Sequence, residues 1–215
     1  MIKQTNDGSQ TIYSQQFKQT YHSESGAIEE SLHVFINKGL NFLNKKEITI
    51  FELGFGTGLN AFLSFMEAEK KKVKINYLTV EKYPVEQEFF LKLNFHKFFD
   101  KKYCNFFQQI HMAEWERDVA LSQYFIIKKI KADFLEYKFD NKIDLVYFDA
   151  FSYSSQPEMW SEDVFAKIFE AMNNNSVLVT YSAKGIIKQN MRAAGFTIKR
   201  LKGAGNKWHM IRASK

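Results

Sequence analysis

Cysteine is almost absent from this sequence of 215 residues: Cys104 stands alone, so no internal disulfide can form and no CxxC pair can hold a metal. Histidine offers no substitute. His22, His33, His96, His111 and His209 lie scattered without the spacing of a zinc site, and no bound metal is expected. No run of about eighteen apolar residues occurs, and no apolar stretch with a cleavage signal opens the chain. Neither a membrane span nor export is therefore expected, and the single thiol fits a reducing cytoplasm. Only two prolines are present, with no repeat, low-complexity tract or Pro/Gly-rich linker. Nothing divides the chain, so one domain is expected over 1–215, with 1–46 an N-terminal extension and helix and 47–215 the core.

Acid is the other shortage. None follows Glu170, whereas Lys184, Lys188, Arg192, Lys199, Arg200, Lys202, Lys207, Arg212 and Lys215 do. The net charge of +6 is thus carried by one end, and the remainder is net negative. Charge of one sign attracts a polyanion such as RNA over about 10 Å at moderate salt. A plain solvated surface in a lysine-rich chain is the alternative at this stage.

What is plentiful is core. Hydrophobic residues make up 45% of the chain and phenylalanine alone numbers 22, so most aromatics must be packing. Apolar residues recur at helical intervals over 26–43, 59–70, 84–98, 157–172 and 185–194. Runs at 47–53, 75–80, 124–130, 143–148 and 176–181 read as strands, and 196–201 with 208–212 as a closing hairpin across Gly203-Ala204-Gly205. Strand alternating with helix predicts an α/β Rossmann-like domain, a mostly parallel doubly wound sheet with an antiparallel C-terminal strand. Such sheets bind ligands beyond the carboxyl ends of their strands.

The strand at 47–53 leads into Glu52-Leu53-Gly54-Phe55-Gly56-Thr57-Gly58. Glycines there permit positive φ and a close approach of backbone to ligand. A dinucleotide enzyme wants GxGxxG with pyrophosphate on the helix terminus. Here the third glycine comes one residue early and a carboxylate precedes the turn. That pattern suits a ligand with an ammonium or sulfonium and no phosphate, the methionine part of S-adenosylmethionine, and argues against a nicotinamide oxidoreductase. Glu81 ends the next strand, where an acid grips ribose hydroxyls, or is a surface acid beside Lys82. Asp133 either accepts from an adenine amino group or starts a helix. Asp149 ends the fourth strand and would face the transferred methyl group, where a carboxylate can orient an amine and take its proton. Phe151, Tyr153 and Trp160 either sandwich a flat base or pack a loop onto the sheet.

These residues sit in longer strings: DGSQTIYS and YHSESGAIEESLHVFI near the start, ELGFGTGLN at 52–60, DAFSYSSQPEMW at 149–160, then TYSAKG, AAGF and KGAGNKWHM. Together, from about Asp7 to Arg212, they resemble the methyltransferase domain of the bacterial tRNA wobble-uridine enzymes, the MnmC and MnmD type. The resemblance implies S-adenosylmethionine-dependent methylation of the aminomethyl group of 5-aminomethyl-(2-thio)uridine at the wobble position of tRNA. It implies that Glu52, Gly54, Gly56 and Gly58 cradle the cofactor, with Glu81 on its ribose and Asp133 near its adenine. Asn60, Lys82 and Phe134 are further cofactor-site candidates. Asp149 would be the catalytic acid, and Tyr21 and His22, followed by Ser23, part of a lid. Tyr21, His22, Phe151, Tyr153, Trp160, Lys184, Lys188, Lys202 and Lys207 are the candidate substrate contacts. Many members continue into a flavin-dependent oxidase domain; this chain resembles the stand-alone form, with no flavin implied. It departs from the family at Tyr153 and Ser155, often proline and lysine, at Lys188-Gln189, often two arginines, and at Lys207-Trp208-His209-Met210, in place of KREM. These departures touch RNA contacts rather than the reaction. On the residues alone, a small-amine methyltransferase and a non-catalytic RNA-binding domain remain alternatives.

Overall fold

A short antiparallel sheet opens the chain, built from β1 (Ile2–Gln4), β2 (Gln10–Ser14) and β3 (Gln19–Thr20). Its first turn is organised by Asp7, which accepts from Ser9 N–H at 3.0 Å and Thr5 Oγ at 2.7 Å. The second Asp7 oxygen accepts from Glu29 N–H at 3.1 Å and so ties this sheet to α1 (Ala27–Ser31). The computed structural model describes residues 1–215, and the helix expected over 26–43 is not continuous in it. From α1 the chain passes into a π-helical turn at Leu32–Asn37 and a 3-10 turn at Leu40–Phe42. The wider turn carries three consecutive side chains, Val34, Phe35 and Ile36, into the core.

The regular part follows: β4 (Glu47–Leu53), α2 (Leu59–Lys71) and β5 (Lys74–Val80). The next stretch corrects the expected helix over 84–98. Only α3 (Gln87–Phe90) and a 3-10 turn at Phe95–Phe98 form. The inward residues are Phe90, Leu93 and Phe95, a spacing of three and then two that no single helix face provides. Two elements of this stretch were not expected, α4 (Cys104–Met112) and β6 (Asp118–Ser122). The chain continues through β7 (Phe125–Ile130), β8 (Ile143–Phe148), α5 (Glu162–Ala171), β9 (Met172–Thr180), α6 (Gly185–Ala193), β10 (Thr197–Lys202) and β11 (His209–Ser214). The helix expected over 157–172 divides at Ser161, whose hydroxyl caps α5 by accepting from Val164 N–H at 3.4 Å.

The large sheet has eight strands in the order β10-β11-β9-β8-β4-β5-β7-β6. Its centre, β9-β8-β4-β5-β7, is parallel throughout. One antiparallel C-terminal strand was expected. The hairpin supplies it: β11 runs against β9, and β10, antiparallel to β11, returns to the common direction, while β6 is a second antiparallel strand at the opposite edge. Both faces are covered, so every residue of β8 is buried. Ile50, Tyr77 and Tyr147 face α2 and α4, while Phe51, Leu78 and Phe148 face α5 and α6. The edges differ from this interior: β10 exposes Lys199, Arg200 and Lys202, and β6 has a register shift between Ala120 and Ser122.

Candidate active site

Chain order along the sheet reverses between β4 and β8, and there the strand ends open on a cavity of about 280 Å³. The turn after β4 forms its floor. Gly56 has φ 50° and an added Cβ would lie 2.9 Å from the Tyr21 ring, so neither the backbone nor the space tolerates a side chain. Thr57 is held from both sides. His111 Nε2–H donates to its carbonyl at 2.9 Å, and His22 Nε2 lies 2.6 Å from its hydroxyl. Behind His111, buried Lys129 donates to the His111 carbonyl at 2.6 Å and packs over the rings of Trp115 and Phe55 at 4.8 and 5.3 Å. Burial pushes His22 down to about 4, His111 to about 3 and Lys129 to about 8, so both imidazoles are neutral at pH 7.

Four carboxylates border the cavity, Glu158 and three at strand ends. Glu81, after β5, accepts from Gly56 N–H at 3.0 Å and from Tyr83 N–H at 2.8 Å, and burial raises its pKa. Asp133, after β7, pairs with Lys82 at 2.6 Å and accepts from Leu135 N–H at 3.0 Å, contacts that hold it below the usual range and ionised. Val80, Ala132, Phe134 and Leu135 line the apolar slot between those two acids. Asp149, after β8, accepts from Asn60 Nδ2–H at 2.9 Å. Burial, with the charge of Glu30 adding to it, pushes Asp149 up to about 7.

The opposite wall comes from the small N-terminal sheet. Phe17 stacks on Phe151 at 4.2 Å between centroids, and Tyr21 meets the same ring edge-on at 4.9 Å. Gln19 Oε1 accepts from Ser152 Oγ at 2.7 Å and Ser155 Oγ at 2.8 Å. These contacts clasp the turn between β2 and β3 over the cavity.

The expected residues thus divide. Tyr21, His22, Gly54, Gly56, Asn60, Glu81, Lys82, Asp133, Phe134, Asp149 and Phe151 all line the cavity. Glu52 does not: it points to the α2 side of the sheet, beside Thr79 and Tyr147 on the neighbouring strands, and is 1% exposed. Burial first, then the Asp149 charge, holds its carboxyl well above the usual range. Gly58 and Tyr153 also lie outside the lining. Trp160 corrects the expected sandwich. It is fully buried, and its Nε1–H donates to the Phe151 carbonyl at 2.8 Å, so it supports Phe151 from below and cannot meet a base. Of the lysines, Lys184 and Lys202 are exposed, Lys188 is half-buried, and Lys207 pairs with Glu30 while covering the Tyr181 ring at 4.4 Å. Phe17, Gln19, Thr57, Tyr83, Gln156 and Tyr181 were missed as lining residues. For Phe17 a signal existed: a lone aromatic amid the polar turn Ser14-Gln15-Gln16-Phe17-Lys18-Gln19.

A glycine turn after the first central strand, acids after the second and fourth, and one cavity at the switch point define a Rossmann-like methyltransferase domain. The family model for S-adenosyl-L-methionine-dependent methyltransferase matches residues 92–215, and the chain belongs to that family. It is 31% identical over 225 residues to the tRNA 5-methylaminomethyl-2-thiouridine biosynthesis bifunctional protein MnmC of Campylobacter fetus, covering 100% of this chain and 35% of that protein. The MnmC of Marinomonas sp. is 28% identical, covering 92% of this chain and 31% of that protein. The chain therefore spans about a third of the length of these curated relatives. The crystal structure of MnmC2 from Aquifex aeolicus superposes with a TM-score of 0.82 at 24% identity, covering 99% of this chain and 69% of that one, and shares the fold. The resemblance read from the sequence strings is to the same group.

Proposed function

We propose that this domain transfers a methyl group from S-adenosylmethionine to the aminomethyl nitrogen of 5-aminomethyl-(2-thio)uridine at the wobble position of tRNA, in the cytoplasm. The observation that carries the reading is Asp149, a half-buried carboxyl bordering the cavity, held by Asn60 and with a pKa near 7 that matches the proton it would have to accept. The named relatives supply the substrate class.

The residues fit the cofactor. Glu81 stands where an acid meets ribose hydroxyls, and ionised Asp133 offers an acceptor at the far end of the apolar slot. Asn60 gives its amide N–H to Asp149 and keeps a buried Oδ1 without a partner, an acceptor suited to an ammonium. Glu52, although outside the lining, places a second carboxyl behind the same floor. Bound there, S-adenosylmethionine supplies an electrophilic methyl group beside Asp149.

The chain's own groups then have separate tasks. Asn60 fixes Asp149 Oδ2, which leaves Oδ1 to meet the substrate ammonium. Asp149 Oδ1 takes one proton from that nitrogen and frees its lone pair for the new C–N bond. Phe17, Tyr21 and Phe151 exclude water from one side, and an aromatic ring there can stack on a uracil drawn out of the anticodon loop. Lys184, Lys188, Lys202 and Lys207 supply positive charge toward the phosphates.

The test is methyl transfer from labelled S-adenosylmethionine to tRNA of cells lacking wobble-uridine methylation, followed by nucleoside analysis. Label in 5-methylaminomethyluridine or its 2-thio form supports the reading. Label only in free amines, or none in tRNA, overturns it.

A further inference from the structure

One exposed side chain is left unused by this mechanism. Trp208 is 88% exposed, more than any other large apolar residue of the chain. It sits in the β10–β11 loop, directly before β11 and opposite Gly203, with its side chain open to solvent. Yet the backbone that carries it is tied down. Gly203 N–H donates to the Trp208 carbonyl at 3.3 Å, and Lys207 N–H to the Ala204 carbonyl at 2.9 Å. The strands cross so closely that a Cβ on Gly203 would lie 2.3 Å from the Lys207 carbonyl oxygen. His33 Nε2 holds the Lys202 carbonyl at 2.8 Å, and the Lys207 ammonium is paired with Glu30.

The loop is therefore a fixed mount for a free indole. Ordering that indole on a ligand costs only its own rotamer freedom, since the loop beneath is already fixed. Its position is also specific. Lys207, the preceding residue, lies over Tyr181, which lines the cavity, so this loop stands at the cavity's rim. On one side of the loop lie Lys199, Arg200 and Lys202 on β10 and Lys184 and Lys188 at α6; on the other, against Ser25, the acid Glu30 is already paired with Lys207. An aromatic face flanked on one side by cations, next to the cavity, matches single-stranded nucleic acid, where bases stack on aromatics and phosphates meet cations.

We infer that Trp208 is a stacking platform for an unpaired base of the RNA loop, adjacent to the nucleotide that enters the cavity. The inference rests on the RNA reading above and adds to it a residue that anchors the flanking loop. The partner is a single-stranded loop rather than a duplex, because a paired base has no free face to offer.

Trp208 reports its own occupancy. Trp160 is buried and Trp115 half-buried, so Trp208 is the indole most open to a soluble quencher. Intrinsic fluorescence is followed while an anticodon stem-loop RNA is added, with a fully paired RNA hairpin stem of equal charge as the comparison. The expected result is quenching of the acrylamide-accessible component by the stem-loop and not by the stem. Trp208→Ala weakens stem-loop binding roughly tenfold, within the range of a lost base–aromatic stack, and Trp208→Tyr restores most of it. Cofactor affinity of both variants stays at the wild-type value, which shows that they fold.

Equal stem-loop affinity in Trp208→Ala, or equal quenching by the paired stem, overturns the inference. So does acrylamide protection that grows with protein concentration before RNA is added, since that assigns the indole to a second copy. Methylation of tRNA with wild-type affinity in Trp208→Ala overturns the inference alone. Loop-specific quenching without any methylation keeps it and overturns the wobble-uridine reading.

Discussion

The two walls of the cavity are built on different principles. The strand-end wall is part of the core. Its glycine turn, Glu81 and Asp149 are fixed by backbone geometry, by buried hydrogen bonds and by Thr57 gripped between two neutral histidines. The N-terminal wall is laid on afterwards. It meets the first wall through side chains alone: the Phe17 and Tyr21 rings on Phe151, two hydroxyl contacts at Gln19, and His22 on the Thr57 hydroxyl. Electrostatic preorganisation needs the first kind of construction, because charges must be in place before reaction. Admitting the proposed RNA-borne nucleoside would need the second, a few contacts that separate without disturbing the sheet.

Substitutions sharpen this contrast. On the rigid wall, Asp149→Asn should reduce single-turnover methyl transfer by about 10²–10⁴-fold while cofactor affinity stays near wild type. A wild-type rate would remove Asp149 from the reaction. Gly56→Val should weaken cofactor binding by roughly tenfold to a hundredfold in calorimetry, since strain at a positive φ costs about 1–3 kcal/mol before the contact with Tyr21 is counted. Unchanged affinity there would mean that the floor is softer than described.

Stability against pH should separate the groups by sign. Asp149 is raised from 3.8 to about 7, so its contribution is full at low pH and is lost as pH rises through 7. The rate should climb over the same range as the carboxylate appears. His22 is lowered from 6.5 to about 4, so its contribution is present above 6.5 and is lost as pH falls toward 4. Thermal melts of Asp149→Asn and His22→Gln across pH should each lose one of those slopes; melts parallel to wild type would contradict the burial of these groups.

On the lighter wall, Phe17→Ala should speed cofactor release only a few-fold, since a stacked aromatic pair is worth about 0.5–1.5 kcal/mol. A loss as large as that of Gly56→Val would erase the distinction between the walls. Smallest of all, Lys184→Glu or Lys202→Glu should weaken tRNA binding a few-fold and lower its salt slope by about one unit per contact, with cofactor affinity unchanged. Identical tRNA binding across a salt titration would take those lysines out of the interface.

The rigid wall was legible in the sequence and the light one much less so. Regular strands followed by a glycine turn or an acid announce themselves through local pattern, which is why Gly54, Gly56, Glu81, Asp133 and Asp149 were found. Glu52 sits in the same pattern, but strand alternation sends its side chain to the other face of the sheet. Trp160 shows the complementary failure: spacing cannot say whether an aromatic after a strand turns outward or beneath its neighbour. Phe17 and Gln19 are brought to the cavity by a tertiary docking that no periodicity encodes. The helix at 104–112 was missed because Asn105, Gln108 and Gln109 dilute its apolar face, although Phe107 and Ile110 are buried. The expected helix at 84–98 failed for the reverse reason, apolar residues at intervals that tertiary contacts decide.

The outer strands have a consequence for the molecule in company. Every open sheet ends in a row of unused backbone donors and acceptors, a template on which another chain can polymerise. Along β10 that row is flanked by Lys199, Arg200 and Lys202, which repel a second copy of the same strand. At the far edge the irregularity between Ala120 and Ser122 spoils the straight register such a template requires. The basic hairpin thus guards the sheet against fibril-like growth, and neutralising its lysines would expose the protein to self-association.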